Sequence, residues 1–132
     1  MVGQSVGTGP TSWLAKQLSI NKPPLKSVVL ISPFSSAVSV VSSSLADISY
    51  TSHAVSESTL DIFDTYYHLQ SVTCRVQIIS GTADQITPYS HALKLQGISK
   101  NGYLTTLNGA GHNDVWDSMN IQKVLSGIRA SM

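Results

Sequence analysis

Short, continuous apolar runs separated by stretches of helical period dominate the chain. Ser27 to Ser32 reads Ser-Val-Val-Leu-Ile-Ser between Pro24 and Pro33. It lacks the apolar/polar alternation of a half-exposed strand, so it predicts a strand buried on both faces of a parallel sheet. Arg75 to Ser80 (Arg-Val-Gln-Ile-Ile-Ser), closed by Gly81, predicts a second strand, and Tyr103 to Leu107 a third, shorter one. Thr8 to Leu18 predicts a helix with Pro10 in its first turn and Trp13, Leu14 and Leu18 able to share a face, ended by Asn21-Lys22-Pro23-Pro24. Pro88 to Gln96 carries a second helical pattern in Ala92, Leu93 and Leu95. After the turn Asn108-Gly109-Ala110-Gly111, Asp114 is placed to cap a last helix from about Val115 through Ile121, Val124 and Ile128. Strands alternating with helices predict an α/β architecture with three parallel strands and flanking helices, without internal repeats.

The stretch from about 33 to 65 breaks this pattern. It is rich in Ser, Thr and Ala, densest at Ser42-Ser43-Ser44, with weak periodicity. A segment of that length inside a compact domain predicts a lid, a binding loop or short, loosely ordered helices. Tyr66 and Tyr67 just after it are expected to pack rather than to touch substrate.

Composition narrows the setting. The 132 residues, 42% hydrophobic, suffice for one core and fall short of two domains. Eight Lys and Arg against seven Asp and Glu leave a net charge of +1, too little for a nucleic-acid or anionic-membrane field. No apolar run approaches the roughly 18 residues of a membrane span, and Met1 to Gly7 lacks the basic and apolar regions of a secretory signal. Cys74 is the single cysteine, which excludes an intramolecular disulfide and a cysteine-built zinc site. These features together predict a reducing, cytoplasmic setting, with no metal and no cofactor.

The chemistry begins at Gly3-Gln4-Ser5-Val6-Gly7, a Gly-x-Ser-x-Gly sequence followed directly by a helical pattern. In a nucleophile elbow the serine sits on a strained turn into a helix with Oγ projecting outward, and glycines two before and two after relieve steric crowding. An acid and a histidine follow in chain order. Asp84, in Gly81-Thr82-Ala83-Asp84, lies just past the second predicted strand, and His112, in Gly109-Ala110-Gly111-His112, just past the third. Carboxyl ends of parallel strands share one rim of the sheet, where open α/β sheets place their sites. Ser5 would be nucleophile, His112 general base, Asp84 its orienting carboxylate, and the Val6 N–H an oxyanion donor. Asp61 and Asp64 are rival acids, but they precede the second strand. His53, His68 and His91 are expected to be structural or exposed. Gly7-Thr8-Gly9 begins like a dinucleotide fingerprint, yet Ser12 stands where its third glycine belongs.

These residues make the whole chain resemble the carboxyl-terminal half of an α/β-hydrolase-fold serine hydrolase. Gly3 to Thr8, Ser32-Pro33, Gly81 to Ile86, Ser90-His91 and Gly109 to Asp114 are most similar to the α/β-hydrolase domain-containing protein 17 group. The resemblance implies hydrolysis of an ester or thioester, with S-acylated (palmitoylated) proteins as a substrate class. It also implies strands amino-terminal to the elbow and a second oxyanion donor from the loop after the third of them. Only Met1 and Val2 precede the elbow glycine, so the strand that should hold Ser5 is expected to be missing. Two readings follow: a serine hydrolase working through an acyl-enzyme, or an inactive hydrolase fragment or interaction module that self-associates through an exposed sheet edge.

Overall fold

The structure is a computed structural model and describes residues 1–21, 25–36, 39 and 63–132. A parallel sheet runs in the order β1 (Val2–Gln4), β2 (Ser27–Ile31), β3 (Arg75–Gly81), β4 (Gly102–Leu107). Helices α1 (Thr8–Asn21), α2 (Thr65–Leu69), α3 (Tyr89–Ile98) and α4 (Ile121–Arg129) accompany it. The α/β architecture expected from the alternating pattern is present, with four strands among the described residues in place of three.

The additional strand, β1, lies where the sequence offered too few residues to show periodicity. It is three residues long and pairs Val2 with Val29, Gly3 with Leu30 and Gln4 with Ile31. The bonds continue past its start: the Val29 N–H donates to the Met1 carbonyl at 2.8 Å, and the Met1 ammonium to the Ser27 carbonyl at 3.0 Å. Ser5 is therefore carried at the end of a strand, contrary to the expectation that this strand is missing.

β2 is buried along its full length. Its alternate residues enter two cores: Val28 and Leu30 join Val76, Ile78, Ala15, Leu69, Ala92 and Leu95 on one face, and Val29 and Ile31 join Ile79, Leu107, Val115 and Val124 on the other. An unbroken apolar run is what such two-sided burial requires.

The helices depart from the predicted pattern in instructive ways. α1 buries Thr8, Gly9, Ser12 and Ala15, while Leu14 stays exposed. Small residues let this helix lie close to the sheet, so the apolar positions Trp13, Leu14 and Leu18 do not mark its inner face. In α3 the buried positions are Ala92 and Leu95, and Leu93 is exposed. α4 begins at Ile121, not near Val115. The Asp114 carboxylate is taken by the Gly111 N–H at 2.7 Å, so it closes the turn before it rather than capping a helix, and residues 112–120 form turns. Val115 still reaches the core.

α2 had no sequence signal. Asp64 caps it, accepting from the Tyr67 N–H at 3.0 Å, which assigns that rival acid a structural task. Fully buried His68 meets Ser12 Oγ through Nδ1 at 3.0 Å and ties α2 to α1. Most of the Ser-rich stretch, with Asp61 and His53, lies outside the described residues.

Candidate active site

The rim at the carboxyl ends of β1, β3 and β4 gathers three side chains from distant parts of the chain. Ser5 Oγ lies 2.8 Å from His112 Nε2, and His112 Nδ1 lies 2.8 Å from Asp84 Oδ2. An ionised carboxylate can only accept, so Nδ1 carries the proton toward Asp84 and Nε2 is left to accept from the Ser5 hydroxyl. The Asp84 side chain is wholly buried and that of His112 is 16% exposed, which leaves the nucleophile end of the relay open to solvent.

Ser5 has φ +49°, in the left-handed region that a residue with a Cβ seldom enters. Chain continuing from β1 turns there through the 3₁₀ turn Ser5–Gly7 into α1. The Thr8 hydroxyl donates to the Ser5 carbonyl at 2.6 Å and braces the turn. Of the two glycines flanking the serine, Gly3 has the steric reason: a Cβ there would collide with the Thr11 side chain and lie 2.7 Å from the Gly7 carbonyl oxygen. A Cβ on Gly7 would meet nothing within 4 Å, so its expected packing role is not seen. Val6 lies in the turn with its side chain exposed.

The loops that carry Asp84 and His112 are joined to each other. The N–H groups of Thr82 and Ala83 donate to the carbonyls of Leu107 (3.1 Å) and Ala110 (3.0 Å), and the Gly109 N–H donates to Thr82 Oγ1 at 2.8 Å. Gly81 sits at their closest approach, where a Cβ would run into the Ala110 carbonyl. Gly109 has φ +75°, which suits glycine.

Sequence reasoning missed Thr87. Its N–H donates to Asp84 Oδ1 at 2.8 Å beside that of Ile86 at 2.9 Å. Its hydroxyl lies 2.9 Å from Asp84 Oδ2, 3.2 Å from the Ser32 carbonyl and 3.2 Å from His112 Nδ1. One hydroxyl proton serves the shortest of these contacts, so Thr87 grips the oxygen that also holds His112. Ser32, with φ +47°, is a second strained serine on this rim. The one available signal was position: Thr87 falls three residues after a proposed acid, where a side chain can fold back onto a carboxylate.

The other titratable groups have different roles. His91 Nδ1 accepts from the Ser35 N–H at 2.9 Å and faces Ser35 Oγ at 3.0 Å, tying α3 to the chain beyond β2. Burial first, then the Lys94 charge, lower its pKa below the ordinary histidine value, against an opposing pull from Asp84. Burial raises the pKa of the Cys74 thiol, which leaves it a poor nucleophile. Among the described residues, Val6, Ile86 and Trp116 are exposed apolar side chains within four positions of Ser5, Asp84 and His112 in sequence, and Trp116 donates through Nε1 to Gln4 Oε1 at 3.1 Å.

No family model matches the chain. In sequence it is 28% identical over 126 residues to a protein of Acanthamoeba polyphaga mimivirus named as an α/β hydrolase, spanning 94% of this chain and 43% of that one. Among solved structures it superposes on the esterase domain of a Rhodothermus marinus protein with a TM-score of 0.68 and 15% identity, covering 98% of this chain and 58% of the other. A protein of Agrobacterium vitis S4 named as a hydrolase gives 0.70 and 21% identity, covering 98% and 59%. The chain thus has the α/β-hydrolase fold and spans about half the length of the proteins it resembles. Among the described residues no helix is long and apolar enough to cross a membrane.

Proposed function

We infer that the chain carries the catalytic triad of a serine hydrolase that cleaves an ester or thioester through an acyl-enzyme. The observation that carries this reading is the relay from Ser5 Oγ through His112 to Asp84, with both links at 2.8 Å and the serine held at φ +49°. Likeness in fold to named hydrolases supports it.

In the first step His112 Nε2 takes the Ser5 proton as Oγ attacks the acyl carbonyl carbon. Asp84 holds the imidazole ring and stabilises its positive charge. The Val6 N–H, next in the chain after the nucleophile, would donate to the oxyanion. As the tetrahedral intermediate collapses, the bond from carbon to the leaving oxygen or sulfur breaks and His112 returns its proton to the leaving group. Water, deprotonated by the same nitrogen, then attacks the acyl-enzyme, and the acid departs as Ser5 regains its proton.

Exposed apolar side chains next in sequence or close to the triad members, Val6, Ile86 and Trp116, support an apolar acyl group, since contact with them would remove hydrocarbon from water. A fatty-acyl thioester on protein cysteine is the substrate class implied by the sequence resemblance.

A fluorophosphonate probe is expected to label the protein at Ser5, and Ser5→Ala to abolish labelling while leaving the circular dichroism unchanged. Hydrolysis of nitrophenyl esters should rise from acetyl to long acyl chains. Folded protein that the probe leaves unlabelled would refute the hydrolase reading and favour the inactive interaction module. Labelling without chain-length preference would refute only the fatty-acyl part.

A further inference from the structure

At the amino ends of β3 and β4, the end of the sheet opposite the triad, lies a cleft of about 490 Å³. β3 spans roughly 20 Å at about 3.3 Å per residue, which keeps the cleft well away from Ser5. One wall is α4, brought close by buried Gly127, whose Cβ would lie 3.1 Å from Thr105 Oγ1.

Its lining is unbalanced in charge. Arg75 and Lys123 both face it, and no Asp or Glu among the described residues lines it. Arg75 is preorganised: its guanidinium carbon lies 3.6 Å from the Tyr103 ring centroid, and one terminal nitrogen donates to Gln77 Oε1 at 3.1 Å. Gln77, almost wholly buried, is itself fixed by donating to Thr105 Oγ1 at 3.0 Å. The Arg75 Nε–H is buried and has no hydrogen-bond partner among the described residues. Lys123 stands in the first turn of α4, which contains no acid, so the helix dipole adds to the positive potential. Two cations, one held in a fixed planar fork and one on a flexible stem, supply charge and directed donors that a bound dianion would satisfy. The volume falls in the range of small-molecule sites.

We propose that this cleft binds a phosphate monoester, with Arg75 and Lys123 as its charged partners, independently of the triad. The phosphate can belong to a soluble metabolite or to the monoester headgroup of a lipid, and the chemistry of recognition is common to both.

Inorganic phosphate, titrated at constant ionic strength into the isotopically labelled chain, is expected to move the Arg75 Nε–H signal and the Thr105 and Ser126 amides along saturable curves. Lys123→Glu places the missing carboxylate at an exposed helical position that tolerates it, and should weaken binding at least about tenfold, as loss of one charged contact implies. Lys26→Glu, the same charge change on an exposed residue outside the cleft, should leave binding unaltered. Sedimentation with phosphatidylcholine vesicles, with and without phosphatidic acid, separates the sources. Capture by phosphatidic acid that Lys123→Glu abolishes assigns the lipid headgroup, and saturable phosphate binding without capture assigns a soluble ester. Unsaturable shifts, or an equal response in Lys123→Glu, would overturn the proposal.

Discussion

At the scale of single residues, the least replaceable groups around the relay are those that hold Asp84. Four donors converge on its two oxygens: the N–H groups of Ile86 and Thr87, the Thr87 hydroxyl and His112 Nδ1. Removing the hydroxyl while keeping side-chain shape leaves a buried carboxylate short of one partner, a loss of about 1.5–3 kcal/mol for a hydrogen bond to a charged group. Thr87→Val is therefore expected to lower the melting temperature and to reduce kcat for ester hydrolysis by roughly tenfold with little change in KM, because ring placement, not substrate binding, is disturbed. Thr87→Ser, which restores the hydroxyl, should recover most of the rate. Equal losses in both variants would mean that Thr87 contributes by packing alone. That Ser5, Asp84 and His112 come together is legible in the sequence, because each follows the end of a parallel strand and such ends share one rim. The part of Thr87 is not, because only the folded turn shows that its hydroxyl returns to Asp84.

At the scale of elements, a histidine clip joins α3 to the chain beyond β2. Its Nδ1 must be unprotonated to accept from the Ser35 N–H, and burial together with Lys94 favours that neutral form. The folded state thus resists a proton that the unfolded chain takes up near the ordinary value of 6.5. The clip's contribution is complete above that value and is lost as pH falls through the lowered pKa of the folded state. Urea midpoints measured at about pH 7.5 and about pH 5.5 should show a fall that His91→Gln diminishes, since glutamine does not titrate in this window. An identical fall in the variant would remove His91 as its source. The elements themselves were unequally legible. β2 carries an unbroken apolar run and β3 a β-branched one interrupted only by Gln77, closed by Gly81, and both are legible for that reason. α1 was placed correctly along the chain but with the wrong inner face, because close packing against the sheet selects Gly9, Ser12 and Ala15 by size rather than by apolar character. The start of α4 was misplaced because Asp114, a good cap by composition, is already taken by the Gly111 N–H.

At the scale of the whole molecule, β1 is an edge of the sheet and Val2 is 57% exposed. An edge strand without a partner on one side offers its N–H and C=O groups to another chain. The 132-residue protein is accordingly expected to self-associate, with sedimentation velocity showing a weight-average mass that rises with concentration. A monomer throughout the range would dispose of that expectation without touching the triad. At this scale too, the chain spans about half the length of the hydrolases it resembles.

The alternation of strands and helices and the place of Ser5, Asp84 and His112 at strand ends are written in the sequence, because burial and chain order follow locally from residue type. Only the folded chain shows that Val2–Gln4 pairs with β2 ahead of Ser5, that Gly3 and not Gly7 meets the steric demand, that Gly81 lets the Asp84 and His112 loops meet, and that Arg75 and Lys123 share a cleft with no carboxylate among its described lining residues. Each of these depends on which atoms from distant segments come within a few ångströms of one another, and no local pattern encodes that.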